Sequence, residues 1–402
     1  MNLRRAEFPL GFLALLGIIG AQPVQGAHRS AEPAREQSPP ASTEFHLAGN
    51  VAEISSRFVH NLVFLAAGVN RGQPSLFQLN STSAGSSISP ERASELGLGD
   101  LPMPVLNLTG VDVSLAALPQ IADKNFSERV GREYEGTLGN DFLAGTVVEI
   151  DYSRQTVRLF DAASFKYSGR ATPLKLTFIS GLPTVHAKIA MGGGKPVEGD
   201  FVIDTALDQA LLVSEKFAEA HKLHPHKPIA STEYGIGDAG SAVLSRVNEF
   251  YLGPYILAQS IGVFPHGKPQ SASDPRIAGE IGGGLLRRFV VTIDYPQQQV
   301  IFDSGSEFRA DEIEDMSGLT VAATGPGLKR FEVVRVWPHT PGAEDGFVQG
   351  DVIEGVNDEA AADMSLSELR ALFRQPSAKY KVLVQRGSKT MTLTLQMHRL
   401  LY

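Results

Sequence analysis

Phe201-Val202-Ile203-Asp204-Thr205-Ala206 reads as a strand that ends on an aspartate and turns into a polar loop. A matching stretch stands 124 positions earlier, Phe77-Gln78-Leu79-Asn80-Ser81-Thr82. Upstream of each lies a Gly-x-Pro turn, Gly72-Gln73-Pro74 and Gly194-Lys195-Pro196. Downstream, Ser87-Ile88-Ser89-Pro90-Glu91 parallels Leu211-Leu212-Val213-Ser214-Glu215, and each leads into a short helical pattern ending at Leu98 or Leu223. A second pair of blocks follows at a spacing of 143: Gly136-Thr137-Leu138-Gly139-Asn140-Asp141-Phe142-Leu143 against Gly279-Glu280-Ile281-Gly282-Gly283-Gly284-Leu285-Leu286, and Ile150-Asp151-Tyr152 against Ile293-Asp294-Tyr295. The chain therefore carries one structural unit twice.

The repeated blocks are rich in β-branched residues, as in Val147-Val148-Glu149-Ile150 and Val290-Val291-Thr292-Ile293, and Gly, Pro and Asn separate them. Each unit is thus expected to be mainly β. The growth in spacing from 124 to 143 places 19 extra residues in the second unit, around His224 to Gly240. Within them Gly235-Ile236-Gly237-Asp238-Ala239-Gly240 suits a hairpin tip, either a flap that covers bound peptide through Gly235 and Gly237 or an ordinary turn.

The length, 402 residues with 43% hydrophobic content, allows two or three domains with real cores. Residues 1–26 read as an export signal: Arg4 and Arg5 precede an apolar run from Phe8 to Gly20, and small residues follow up to Ala27. An exported chain, periplasmic or secreted, is expected, with an uncleaved anchor as the alternative. Residues 27–44, rich in Pro, Ser and Ala, read as a flexible linker. There is no cysteine, which excludes disulfides, thiol catalysis and thiolate metal sites. The formal charge of −8 argues against nucleic acid as a partner. His221, His224 and His226 sit in a Pro-containing loop and read as solvated rather than as metal ligands, and Gly192-Gly193-Gly194-Lys195 reads as a hairpin turn.

A strand ending in Asp-Thr-small, a helix and then an apolar-apolar-Gly motif resembles one lobe of the aspartic-protease fold. The duplication resembles the bacterial retropepsin-like and pepsin-like group in which two lobes are fused and followed by a PDZ domain. The resemblance implies two tandem β-barrel lobes related by a pseudo-twofold axis, over 45–165 and 166–303, a polypeptide substrate or ligand, and neither cofactor nor metal. It also implies that each lobe supplies one Asp, because hydrolysis by water needs one carboxylate to take a proton and another carboxyl to give one. The neighbouring Thr or Ser hydroxyl would brace the opposite loop. On these positions the second half presents Asp204, Thr205 and Ala206, and the first half presents Asn80, Ser81 and Thr82. An amide cannot exchange a proton near neutral pH, so Asn80 is expected to act as a structural amide bonded across to Asp204. Two function classes follow: an aspartic-type endopeptidase, and a pseudoprotease that binds peptide or protein without cutting it.

An acidic stretch, 304–317, reads as a linker to a different pattern over 318–400. Gly350-Asp351-Val352-Ile353, a helix from Ser365 to Phe373 and two alternating strands resemble a PDZ-like α+β domain. Such a domain implies a protein C-terminus or extended peptide as partner, added to a sheet edge and held by a Gly-containing loop. Gly325, Gly327 and Leu328 form the expected loop, in which Pro326 removes one N–H donor. The other reading of this region is a packing module for the lobes.

Overall fold

The computed structural model describes residues 43–98, 103–121, 124–231, 241–266 and 274–401. The expected export signal, nearly all of the first linker, and Gly235 and Gly237 lie outside these residues. Within them the chain is mainly β, built from curled sheets of mixed, largely antiparallel pairing with a few short helices.

Each half of the repeat folds around a strand that ends at the decisive polar residue. In the first half the strand Ser75–Leu79 runs parallel to Gly136–Leu138, with Phe77 opposite Gly136 and Leu79 opposite Leu138. In the second half Val197–Ile203 runs parallel to Ile277–Ile281, with Phe201 opposite Gly279 and Ile203 opposite Ile281. The glycines in these pairs are needed for close approach. A Cβ at Gly136 would stand 2.1 Å from the Ser87 carbonyl oxygen, and one at Gly279 would stand 2.1 Å from that of Leu212. The repeated glycine therefore seats the short return strands Ser87–Ile88 and Leu211–Val213 against the parallel pair. In the second half the long strands Leu182–Ala190 and Ser241–Leu252 also pair, which closes that sheet on itself.

The two halves are joined by a sheet they build together. Its strand order is Leu174–Lys175, Gln299–Ser304, Phe289–Asp294, Val147–Asp151, Thr156–Phe160 and Val51–Ile54. At its centre Ile150 pairs with Val291 and Val148 pairs with Ile293, antiparallel. Adding the repeat spacing of 143 to one member of the first pair and removing it from the other gives the second pair. The ladder therefore maps onto itself under a twofold rotation, which is what an antiparallel pair of identical units requires. The expected boundary near residue 165 divides the sequence repeat, but this sheet takes strands from both sides of it.

One hydrophobic core runs through both halves and includes Phe77, Leu79, Phe142, Phe201, Ile203 and Leu285, all fully buried. Each such side chain contributes about 1.5–3 kcal/mol relative to exposure. A second core belongs to the C-terminal sheet, ordered Leu319–Thr324, Arg330–Val336, Val352–Val356, Lys379–Arg386 and Lys389–Gln396, with the helix Leu366–Phe373 against it. Ser365 and Glu368 form a capping box that starts this helix, and Leu366, Leu369 and Phe373 are its buried face.

Candidate active site

The repeat brings its two polar turns together. The backbone N–H of Asn80 donates to the Leu138 carbonyl and that of Asp204 to the Ile281 carbonyl, both at 2.9 Å, so each residue ends its strand in the same way. The next residues then cross over. The Ser81 N–H donates to Thr205 Oγ1 and the Thr205 N–H donates to Ser81 Oγ, each at 3.0 Å. Ser81 Oγ donates to the Ile203 carbonyl at 2.6 Å, and Thr205 Oγ1 donates to the Leu79 carbonyl at 2.8 Å. Ser81 and Thr205 are completely buried. Each hydroxyl thus satisfies one donor and one acceptor of the opposite half, and the loss of either would leave two buried backbone groups unpaired.

The two turns differ in charge rather than in path. Asn80 Oδ1 accepts the N–H groups of Thr82 and Ser83 at 2.9 and 3.1 Å, and Asp204 Oδ1 accepts the N–H of Ala206 at 2.7 Å. The Asn80 amide, expected to bond across to Asp204, has its oxygen committed to its own loop. The link from this loop to Asp204 runs instead through Thr82, whose hydroxyl lies 2.7 Å from Asn80 Oδ1 and also hydrogen-bonds Asp204. A hydroxyl has one proton, so it donates to one of these two oxygens at a time.

Asp204 is 7% exposed. Burial raises its carboxyl pKa above the ordinary 3.8, and hydrogen bonds from the Ala206 N–H, the Glu280 side chain, the Leu207 N–H and Thr82 hold it back. Glu280 belongs to the buried strand Ile277–Ile281 and faces Val202 in the parallel ladder. The resemblance takes in Glu280 only as part of Glu280-Ile281-Gly282 and gives it no role. Its sequence signal was an acid inside an otherwise apolar strand block, at a position where the first half carries Thr137. Tyr152 is a second residue that the sequence did not single out. It is buried, its pKa is raised by burial and by the charge of Asp204, and its hydroxyl has no hydrogen-bond partner among the described residues.

No protein-family model matches the chain, and no curated protein matches it in sequence. Solved structures do resemble it. An aspartic proteinase from Irpex lacteus matches with 12% identity over 65% of this chain and 99% of that one, at a TM-score of 0.42. A retropepsin-like aspartic protease from Rickettsia conorii matches with 16% identity over 35% of this chain and 98% of that one, at a TM-score of 0.27. A photosystem II D1 C-terminal processing protease matches with 25% identity over 20% of this chain and 22% of that protein, at a TM-score of 0.18.

The C-terminal body reaches the same region. Arg370 and Arg374, from its helix and the residue that caps it, lie beside His60 and Asp208. Burial, then Arg370 and Arg374, push the His60 pKa down to about 2, so this imidazole is neutral, and it lies 3.3 Å from Ser367 Oγ. Burial raises the Asp208 carboxyl and the two arginines oppose that shift. Asn61 Nδ2 donates to the Asp208 carbonyl at 2.9 Å, which ties the first half to the loop that follows Asp204.

Gly325, Gly327 and Leu328 lie in the hairpin between Leu319–Thr324 and Arg330–Val336. The sheet edge beside them, Leu319–Thr324, has the first-half helix Lys124–Val130 against it, and Arg370 Nη2 donates to the Val321 carbonyl at 3.0 Å. A cavity of about 700 Å³ also lies away from Asp204, lined by Arg246, Arg288, Arg309, Glu312 and Leu401 among others.

Proposed function

We propose that this chain is an exported protein of the aspartic-endopeptidase type that takes extended polypeptide at the junction of its two halves, beside Asp204. The observation that carries this reading is the reciprocal bracing of Ser81 and Thr205, which holds two equivalent turns face to face. Such bracing fixes polar groups to within the fraction of an ångström that a peptide site demands. Asp204 is the proton-exchanging group of the two turns, since Asn80 holds the matching place with an amide. That substitution favours binding without cleavage if these two positions alone are counted.

The C-terminal body, PDZ-like in its strand and helix pattern, serves in this reading first as a packing module. Its edge strand faces the helix Lys124–Val130, and addition of a peptide strand there requires that helix to move aside.

The test is binding of fluorescently labelled, unfolded casein to the full chain, read as anisotropy, with competition by a peptide that carries a hydroxyl in place of one backbone carbonyl. Saturable binding that this mimic displaces, and that Asp204→Arg abolishes while circular dichroism is unchanged, is the expected result. Binding that is indifferent to both the mimic and Asp204→Arg would place the peptide site elsewhere.

A further inference from the structure

We propose that Glu280 supplies the carboxyl missing at Asn80, so that Asp204 and Glu280, both from the second half of the chain, form a pair that shares one proton and hydrolyses the bound peptide. This deepens the reading above and rests on it.

The argument begins with the hydrogen bond between the two side chains. Two carboxylates offer only acceptors, so a hydrogen bond between two carboxyl groups requires one of them to hold a proton. Glu280 is 4% and Asp204 7% exposed, and two bare negative charges at that depth and separation would repel strongly. One shared proton is the state that burial and geometry both select. It is also the state that peptide hydrolysis needs, one group ready to accept and one ready to donate.

The backbone explains why the two residues meet. Ile203 is opposite Ile281 in the parallel ladder, and Asp204 donates its N–H to the Ile281 carbonyl. Glu280 is therefore one residue from the partner of the strand end, on the strand that flanks the Asp204 turn. In the first half the same place holds Thr137, one residue from Leu138, whose carbonyl receives the Asn80 N–H. The two departures from the repeat thus fall on neighbouring strands: the first half loses a carboxyl at Asn80, where the second half has Asp204, and the second half gains one at Glu280, where the first half has Thr137. The buried Tyr152 hydroxyl, which lies in the field of Asp204 and has no partner among the described residues, adds a neutral donor for an oxygen that becomes negative during the reaction.

The step balances with water as the only co-reactant. Asp204 takes a proton from water as its oxygen bonds to the peptide carbonyl carbon, and the proton on Glu280 passes to the carbonyl oxygen. The gem-diol then returns one hydroxyl proton to the pair while the proton on Asp204 goes to the nitrogen. The C–N bond breaks, giving an acid and an amine and leaving one proton on the pair.

The test compares the parent with Glu280→Gln, Asp204→Asn, Asn80→Asp and the double variant Asn80→Asp/Glu280→Gln, using labelled casein hydrolysis across acid and neutral pH and casein anisotropy in parallel. Glu280→Gln keeps the size and a hydrogen-bond donor but cannot transfer a proton. The expected result is a parent that cleaves, a loss in kcat of about 100-fold or more in Glu280→Gln with KM changed by less than about threefold, and loss of one limb of the pH profile. The double variant should recover cleavage, because the second carboxyl then stands at the twofold position. Activity in Glu280→Gln within about threefold of the parent, abolished by Asp204→Asn, would overturn the role of Glu280 and leave the peptide site standing. A parent that binds casein without cleaving it would overturn the pair and leave a binding protein. Absence of casein binding would overturn the reading on which the pair rests. Should Glu280→Gln fail to fold, infrared spectroscopy of the parent decides: a protonated carboxyl band that persists at about pH 6 and vanishes in Asp204→Asn is expected, and its absence from the parent refutes the shared proton.

Discussion

Tyr295 donates its hydroxyl to Asn140 Oδ1 at 2.8 Å, linking two residues from opposite halves of the repeat. Its repeat mate, Tyr152, has no such partner, because the position that matches Asn140 is Gly283. A Cβ at residue 283 would stand 2.2 Å from the Asn61 carbonyl oxygen, so close packing of the first half against the second excludes any side chain there. The asymmetry that leaves a polar group unpaired beside Asp204 is thus a consequence of how the halves pack.

Removal of the two hydroxyls should therefore have opposite effects. Tyr295→Phe leaves the buried Asn140 oxygen without its donor and is expected to cost about 1–3 kcal/mol. Tyr152→Phe removes a buried hydroxyl that has no partner among the described residues and is expected to be neutral or stabilising by about 1 kcal/mol. Urea unfolding of the two variants measures both, and a greater loss in Tyr152→Phe than in Tyr295→Phe would contradict the contrast.

Thr205→Val keeps the shape of the residue and deletes the hydroxyl that serves the Ser81 N–H and the Leu79 carbonyl. Two buried backbone groups lose their partner, so a loss of about 2–4 kcal/mol is expected in chemical denaturation. Thr205→Ser retains the hydroxyl and should recover most of it.

Gly131 follows the helix Lys124–Val130 with a φ of +70°, and a Cβ there would meet that of Leu366 at 2.6 Å. Gly131→Ala should wedge the first half away from the C-terminal helix, beyond a strain of about 1–2 kcal/mol from the left-handed backbone. Faster hydrogen exchange at the amides of Leu319–Thr324 is the expected readout, with the lobe-joining strands Val147–Asp151 and Phe289–Asp294 unchanged.

Glu312 lies where the second half meets the chain leading to the C-terminal sheet. Burial pushes its pKa from 4.5 up to about 7, against the pull of the Ile261 N–H, Arg288 and Arg246. A raised folded-state value means that the folded chain holds the proton more tightly than the unfolded one. That contribution is complete below about pH 4 and is lost as the pH rises through about 7. Relative to Glu312→Gln, the parent should lose at most about 3 kcal/mol across this window, because the two arginines limit the cost of the charge. Urea midpoints of both proteins at the ends of the window provide the measurement.

The sequence by itself determined the repeat, the mainly β character and the strand ends at Asn80 and Asp204; the bracing of the opposite loop by Ser81 and Thr205 was implied only by the resemblance. These were legible because a duplicated stretch with the same apolar pattern folds in the same way twice, and two copies of one unit pair most simply about a twofold axis. The difference between amide and carboxylate at residues 80 and 204 was equally plain, since it is a matter of residue identity.

Only the tertiary structure decided what surrounds Asp204. Glu280 is 76 residues away along the chain, and its meeting with Asp204 depends on parallel register and on which face of a buried strand a side chain takes. The Asn80 oxygen turns into its own loop because two N–H groups stand within 3.1 Å of it, a local geometry that no residue pattern distinguishes from a bond across the axis. The placing of Arg370 and Arg374 beside His60 and Asp208 likewise comes from docking of separate hydrophobic cores, which follows surface shape rather than sequence period.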